Sequence, residues 1–210
     1  MNKILYVLLA IEAISALSCS QTKNSAIEES SPSAIMQTAR VLDGIFDRKT
    51  AREFSPHTVA REHIDLLVKA AFAAPTGANQ RSCEFIIVTD RDVMLHMKKG
   101  NPYSQALDTA PLAIVIAVNA KTSAFPELLT MDAGMAAQNI LVQASELGLA
   151  SVPMSIAPQE IRIEGVSQAL HLPAEIVPHI MICIGQPLTD AMSSASANFY
   201  DENKIHYNHY

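Results

Sequence analysis

One stretch of the sequence governs how the rest of the chain can pack: Thr130-Met131-Asp132-Ala133-Gly134-Met135-Ala136-Ala137-Gln138-Asn139-Ile140-Leu141. Thr130 is a candidate N-cap, and Gly148 is placed to end the helix. Its apolar residues cover more than one helical stripe, which indicates burial on more than one side. Small residues at 133, 134, 136 and 137 permit close approach of another helix. The stretch therefore predicts either a central helix or a dimer-forming helix.

Helices and strands interleave on both sides of this stretch. Apolar residues recur at helical spacing in four further segments, which are 33–46, 58–74, 92–99 and 159–170. Dense β-branched and apolar runs predict four strands, which are 84–89, 113–118, 150–154 and 179–184. Such interleaving indicates an α+β fold in which helices flank a layered sheet.

Length and composition limit the possible functions. The chain has 210 residues, 49% of them hydrophobic, so it can bury a substantial core in one compact domain. We place that domain at 33–210. A net charge of −6 and the absence of Trp argue against nucleic acid as a partner, because phosphate backbones are bound by broad basic surfaces.

The first nineteen residues have the anatomy of a signal peptide. Lys3 precedes an apolar run at 4–17, and Ala16-Leu17-Ser18-Cys19 resembles a bacterial lipobox, in which Cys19 would carry the lipid. Ordinary secretory cleavage near Ser18 is the alternative. Residues 20–32 are polar and predict a tether. The expectation is an exported protein, held on the membrane by a lipid anchor and facing the periplasm or cell exterior.

The remaining cysteines and the histidines suggest neither disulfides nor metal. Cys83 and Cys183 each lie inside an apolar stretch, and neither has CxxC or His/Cys ligand spacing. We expect two buried thiols and no metal site.

A short basic cluster, Arg48-Lys49-Thr50-Ala51-Arg52, stands out against the acidic background. In an extended segment, Arg48, Thr50 and Arg52 point to the same side. Two guanidinium groups and a hydroxyl would then face one anion, most naturally a phosphate. A solvated charged turn is the alternative interpretation.

A loop, Pro75-Thr76-Gly77-Ala78-Asn79, follows the second predicted helix. Gly77 lets backbone N–H groups come close to a ligand, and the Asn79 amide can both donate and accept toward a heterocycle. Taken alone, this segment is an ordinary turn.

Taken together and in order, these motifs resemble the nitroreductase family of FMN-dependent oxidoreductases. The resemblance runs from about residue 33 to the end of the chain. The segments that carry it are 48–54, 74–79 leading into 84–88, 131–141 with Glu146-Leu147-Gly148-Leu149, Leu172-Pro173, 182–187 and Lys204-Ile205-His206-Tyr207-Asn208.

The resemblance implies a homodimer with FMN at the subunit interface. Arg48, Thr50 and Arg52, with Lys49 in the same cluster, would bind FMN from one subunit. The other subunit would contribute Pro75, Thr76, Gly77 and Asn79. The segment Val152-Pro153-Met154-Ser155 lies where the family places backbone donors near the flavin.

The implied activity is electron transfer by a ping-pong mechanism. FMN would pass electrons from NAD(P)H or another donor to a nitroaromatic, a quinone or a related small acceptor. The sequence offers no Ser-His-Asp set or isolated carboxylate pair, so the chemistry would belong to the flavin and no side chain is assigned as catalytic. A non-catalytic flavin-binding or flavin-carrier lipoprotein is the alternative.

The chain departs from the family pattern in two places. Arg81-Ser82-Cys83 stands where Gln-Pro-Trp is common, and no arginine precedes Phe199-Tyr200-Asp201 near the C-terminus. Lys204 could replace that arginine at the FMN phosphate.

Overall fold

The computed structural model describes residues 43–188, 193–194 and 200–210. The predicted signal peptide with Cys19, the tether at 20–32 and most of the predicted helix 33–46 lie outside the described residues.

The described strands form one mixed sheet. They are β1 (Lys49–Thr50), β2 (Cys83–Val88), β3 (Leu112–Asn119), β4 (Ala150–Ser155), β5 (Ile176–Gly185) and β6 (Ser193–Ser194). Their order across the sheet is β2-β3-β5-β4-β1-β6. All neighbours are antiparallel except β1 and β4, which run parallel. The expected α+β fold with a central mixed sheet is confirmed.

Strand β3 is the buried centre of the sheet. Every residue from Leu112 to Val118 is buried, between β2 on one side and β5 on the other. Side chains alternate along the strand, so Ala113 and Val115 enter one core while Ile114 and Ile116 enter the other. A strand buried on both faces reads as a continuous apolar run, which is why its sequence predicts it well.

Five described helices cover the two faces: α1 (Asp43–Phe46), α2 (Arg61–Phe72), α3 (Arg91–Lys98), α4 (Leu129–Glu146) and α5 (Glu160–Leu170). Helices α2 and α4 supply the core on one face, and α3 and α5 supply the core on the other. The sheet is therefore the middle of three layers.

Two predicted helix starts are wrong. Helix α4 begins at Leu129 after a 3-10 turn at Pro126–Leu128, and no side chain caps it, so Thr130 already lies inside the helix. Helix α2 begins at Arg61 rather than Thr58, because the chain is still extended at Ala60. The predicted stop at Gly148 is confirmed by its left-handed backbone, φ 69°.

Helix α4 buries one side and exposes another in the described subunit. Ala133, Ile140 and Ala144 are fully buried against the sheet. Met131 and Met135 remain 46% and 37% exposed, on the stripe that also carries Gly134. The apolar residues of α4 cover more than one helical stripe, and packing within the described chain buries only part of them.

Candidate functional site

The basic cluster contains the short strand β1, which lies between β4 and β6 in the sheet. Arg48 Nη1 donates to Thr50 Oγ1 at 2.9 Å, so these two side chains lie on the same side as predicted. Thr50 pairs with Ser151 of β4, which places the following residues beside that strand. Lys49 lies on the other side and lines a separate hollow with Asp47 and Gly148. The structure thus separates Lys49 from Arg52.

Arg52 faces a cavity of about 470 Å³ that we call the β1–β4 cavity. It is lined by Arg52, Asn101, Tyr103, Gln105, Ala106, Val152, Pro153, Met154, Ser155 and Arg162. Four residues that the sequence assigned to one site are therefore brought together: Arg52, Pro153, Met154 and Ser155. Of the other lining residues, Val152 also belongs to β4, four come from the chain after α3, and Arg162 comes from α5.

Asn101 is a polar residue that the sequence did not single out. It is only 1% exposed, and its Oδ1 accepts from the Tyr103 backbone N–H at 3.1 Å. Within the described part of the chain, its Nδ2 has no hydrogen-bond partner. An unpaired buried donor costs about 1–3 kcal/mol. A ligand acceptor in the cavity would remove that cost.

A close contact between two glycines fixes Asn101 in place. A Cβ built on Gly165 of α5 would lie 2.9 Å from the Cα of Gly100, the residue just before Asn101. Only glycine at both positions allows this approach. The sequence feature that could have indicated Asn101 is its position directly after Gly100, just beyond the end of α3.

Arg162 adds a second cation to the β1–β4 cavity. Its Nη1 donates to Ser155 O and Ser155 Oγ, both at 3.2 Å, and its guanidinium lies 5.3 Å from the centre of the Tyr103 ring. The described residues that line the cavity include two arginines and neither Asp nor Glu. The cavity is therefore suited to an anionic or carbonyl-rich ligand.

The predicted ligand-binding loop, which we call the 76–81 loop, is strained but internally bonded. Ala78, Asn79 and Arg81 have φ values of 50°, 55° and 49°, each costing about 1 kcal/mol or more in a residue with a side chain. Thr76 Oγ1 accepts from the Arg81 backbone N–H at 3.1 Å. Asn79 Oδ1 accepts from Arg81 Nε at 2.9 Å, which leaves its amide nitrogen as the remaining polar group of that side chain.

Glycine at position 77 has a packing reason. A Cβ there would collide with the side chain of Leu128. The loop borders a second cavity, of about 550 Å³, lined by Ala71, Phe72, Ala73, Ala74, Thr76, Asn79, Arg81, Cys83, Phe85, Asp132 and Ala136. Cys83 thus lines a hollow of mixed polar and apolar character.

The 76–81 loop and the β1–β4 cavity lie far apart in one subunit. Three strands separate β1 from β2 in the sheet, so the two strands are about 19 Å apart. The two groups of residues also belong to different faces, since Val152 and Met154 pack with α3 and α5 while Ala71 and Ala136 pack on the other side. Within the described chain, the residues predicted to bind FMN therefore lie in two separate places.

Lys204 lies outside the lining of both cavities. It ends a 3-10 turn, Glu202–Lys204, and its Nζ is 3.7 Å from Asp201 Oδ2. The structure therefore shows this lysine in a local ion pair.

Both described cysteines are poor nucleophiles. Burial, with a smaller contribution from the charge of Asp132, raises the pKa of Cys83 to about 11, and burial raises that of Cys183 to about 12. Each stays a thiol at neutral pH. In the described ranges no three His, Cys, Asp or Glu residues cluster as metal ligands. None of the described helices is both long and apolar enough to cross a membrane.

Fold and cavity together define an α+β protein that can hold a polar, anionic ligand at one end of a mixed sheet. The model of the nitroreductase family matches residues 45–101 and 93–186. A relative from Methanothermobacter thermautotrophicus, named "Putative NADH dehydrogenase/NAD(P)H nitroreductase", is 30% identical over 166 residues, covering 79% of this chain and 85% of that protein.

Solved structures agree with this assignment. The crystal structure of a protein with the same name from Bacteroides thetaiotaomicron is 38% identical in sequence, with a TM-score of 0.74. The match covers 80% of this chain and 97% of that one. An FMN-dependent nitroreductase from Clostridium difficile is 26% identical with a TM-score of 0.73, covering 80% and 99%. The chain belongs to the nitroreductase family, and the resemblance seen in the sequence is confirmed.

Proposed function

We propose that the protein is an FMN-dependent oxidoreductase that passes electrons from NAD(P)H or another donor to a nitroaromatic, a quinone or a related small acceptor. The observation that carries the proposal is the buried Nδ2 of Asn101, which has no hydrogen-bond partner among the described residues and lies in a cavity that also presents Arg52. The names of two relatives support the proposal: one is named as an NAD(P)H nitroreductase and the other as an FMN-dependent nitroreductase.

The residues present fit FMN. Arg48 and Thr50 would hold the phosphate and ribityl end, and Arg52 and Asn101 would meet the carbonyl-rich edge of the ring. The backbone of 153–155 would supply further donors. When bound, FMN supplies reversible two-electron chemistry.

The chain's own contribution is placement and electrostatics. Arg52 and the Asn101 amide are fixed donors, so they stabilise negative charge that develops on a ligand without reorganising at that moment. Val152, Met154 and Ala106 contribute apolar surface to the otherwise polar lining of the cavity. The described lining offers no carboxylate or imidazole as a general base. Donor and acceptor are therefore expected to occupy the same cavity in turn.

We also propose that the protein is a homodimer formed through the exposed stripe of α4. Met131 and Met135 lie on that stripe, and Phe72 on neighbouring α2 is 70% exposed. Exposed apolar groups of this kind mark interfaces. In such a dimer we propose that the partner's 76–81 loop completes the FMN site, as the family resemblance implies, because the loop and the β1–β4 cavity of one chain lie apart.

Substituting Met135→Glu tests the dimer. A carboxylate in a buried interface is costly, so we expect a monomer with reduced FMN content, measured by light scattering and flavin absorbance. Leu95→Glu is the matched control, because Leu95 on α3 is similarly exposed at 41% but lies on the other layer. A dimer that survives Met135→Glu would place the interface elsewhere.

The exported, lipid-anchored state remains a proposal that rests on the sequence of the leader. Mass spectrometry of the N-terminal peptide from a membrane fraction tests it, with a lipid on Cys19 as the expected result. An intact Met1, or an unmodified Cys19, would contradict it. No nicotinamide pool is expected outside the cytoplasm. NAD(P)H would then reduce the flavin in the test tube, while another reductant would serve in the cell.

The decisive experiment for the function is the absorption spectrum of protein purified without its leader, followed by stopped-flow kinetics. We expect bound flavin, bleaching by NAD(P)H and recovery on adding a nitroaromatic or quinone. Parallel lines in double-reciprocal plots would show the ping-pong order. Colourless folded protein would remove the FMN proposal. Bleaching without recovery by any acceptor would favour the flavin-carrier alternative.

A further inference from the structure

A fully buried carboxylate lies beneath the 76–81 loop. Asp132 of α4 has an exposed fraction of 0%. Its Oδ1 accepts from the Gly77 backbone N–H at 2.8 Å, and its Oδ2 accepts from Gln80 Nε2 at 2.9 Å. Among the described ion pairs none involves this carboxylate. A buried charge is tolerated only where strong donors satisfy it, so these two bonds account for its presence.

Gln80 extends the connection to a third segment. Its Oε1 accepts from Ser123 Oγ at 2.8 Å and from the Phe125 backbone N–H at 3.2 Å. Because the oxygen end of the amide is engaged, the nitrogen end must point to Asp132. The loop, the 123–125 segment and helix α4 are thereby tied together.

The loop needs such ties because its backbone is unfavourable. Three of its residues, Ala78, Asn79 and Arg81, have left-handed φ values although each carries a side chain. Conformations of this kind persist only where the surroundings over-determine them. Within the described chain, Asp132 is the one side chain from another element that bonds two separate residues of the loop.

We propose that Asp132 is a positioning residue that locks the 76–81 loop in its left-handed conformation before a ligand arrives. Asn79 then presents its amide nitrogen without further ordering. This inference rests on the proposed function, in which the loop approaches FMN of the partner subunit's site. A preorganised loop raises affinity because less conformational freedom is lost on binding.

The substitution Asp132→Asn in the full chain tests the lock. The side chain keeps its size but can accept from only one of the two donors with full strength, and its own NH₂ faces the other. Gln80 cannot turn to accommodate it without losing Ser123 and Phe125. We expect backbone hydrogen exchange at 77–81 to accelerate about tenfold, with β3 unchanged, and the Kd for FMN to rise about tenfold.

Asp90→Ala is the control. Asp90 caps α3, because its Oδ1 accepts from the backbone N–H groups of Asp92 and Val93, so alanine removes two hydrogen bonds to a carboxylate at a remote place. It should lower Tm while leaving loop exchange and the Kd unchanged. The positioning role is overturned if Asp132→Asn leaves exchange at 77–81 unchanged, or if exchange rises while the Kd stays within twofold. If the unmodified protein binds no FMN, the proposed function fails, and the exchange comparison still decides whether Asp132 locks the loop.

Discussion

The β1–β4 cavity and the 76–81 loop differ in whether their polar groups have hydrogen-bond partners within the described chain. In the cavity, polar groups are held ready but not satisfied: the Nδ2 of Asn101 lacks a partner among the described residues, and Arg52 faces open space. In the loop, Asp132 accepts from the Gly77 N–H, Thr76 accepts from the N–H groups of Asn79 and Arg81, and Gly77 accepts from the Gln80 N–H. The cavity is thus incomplete without a ligand, while the loop is complete without one. Substitutions in the cavity should therefore mainly weaken ligand binding, whereas substitutions in the loop should lower stability even without a ligand.

The largest effect should follow Arg52→Ala. Removing this guanidinium deletes a charge-assisted contact to the ligand, which is typically worth about 1.5–3 kcal/mol, so the Kd for FMN should rise about 10- to 150-fold. Stability of the ligand-free protein should hardly change, because none of the ion pairs in the described part of the chain involves Arg52. Flavin fluorescence titration and urea unfolding of the same preparation measure both quantities.

Arg61→Ala is the control for charge alone. Arg61 is an exposed guanidinium on α2 that pairs with Asp65 at 3.1 Å and lies outside both cavity linings. It should leave the Kd unchanged. Equal losses in the two variants would mean that Arg52 acts through net charge rather than contact.

The next largest effect should follow Gly165→Ala, on the scaffold of the cavity. The new Cβ meets the Cα of Gly100 at 2.9 Å, and backbone atoms cannot rotate away. Overpacking costs about 1–3 kcal/mol, and alanine returns up to about 1 kcal/mol of helix propensity. We expect a net loss of about 1–2 kcal/mol in the free energy of unfolding, with weaker FMN binding because Asn101 is displaced.

Gln168→Ala provides the comparison for Gly165→Ala. Gln168 lies on the exposed side of the same helix and pairs with Glu164 at 3.1 Å. Its replacement should change stability by less than about 0.5 kcal/mol. An unchanged or increased stability of Gly165→Ala would show that α3 and α5 can move apart freely.

Periodicity predicted the parts of the molecule in which one physical pattern dominates. The run at 113–118 is apolar on both faces and became β3, and alternation correctly put Arg48 and Thr50 on one side of β1. Glycine at 148 correctly ended α4. These features depend on neighbours in the chain, so the chain alone specifies them.

Features that depend on distant segments were not predictable in this way. Asn101 matters because Gly100 meets Gly165 from another helix, and Asp132 matters because it meets Gly77, 55 residues earlier in the chain. Thr130 looked like a cap, but the preceding 3-10 turn already starts the helix. Local patterns carry no information about which remote group will face a side chain.

Thr76→Val probes the loop with a smaller effect. Valine keeps the shape but removes the oxygen that accepts from the Arg81 N–H, at a cost of about 0.5–1.5 kcal/mol, reduced here because water reaches the loop. Unlike Arg52→Ala, this variant should lower the free energy of unfolding even without FMN. Thr76→Ser should restore it. A loss that appears only with FMN bound would mean that the hydroxyl contacts the ligand instead.

The smallest effect concerns His179 of β5, which bonds both the end of β4 and the start of α4. Its carbonyl accepts from the N–H groups of Ile156 and Ala157 just after β4, and its Nδ1 lies 3.3 Å from Thr130 Oγ1 near the start of α4. Burial lowers the pKa of His179 in the folded protein below its ordinary value of about 6.5. As pH falls through that value, the unfolded chain takes up a proton that the native protein resists, so the free energy of unfolding declines below about pH 7 and is unaffected by this group above it.

The measurement is urea unfolding at pH 7.5 and pH 5.5 for the unmodified chain and for His179→Asn. Asparagine can still bond Thr130 but does not titrate, so the variant should lose less stability than the unmodified chain over this pH interval. Carboxylates contribute equally to both proteins and cancel in the comparison. An identical loss in the two proteins would show that His179 takes up its proton as readily in the native state as in the unfolded chain, and that its imidazole is open to water.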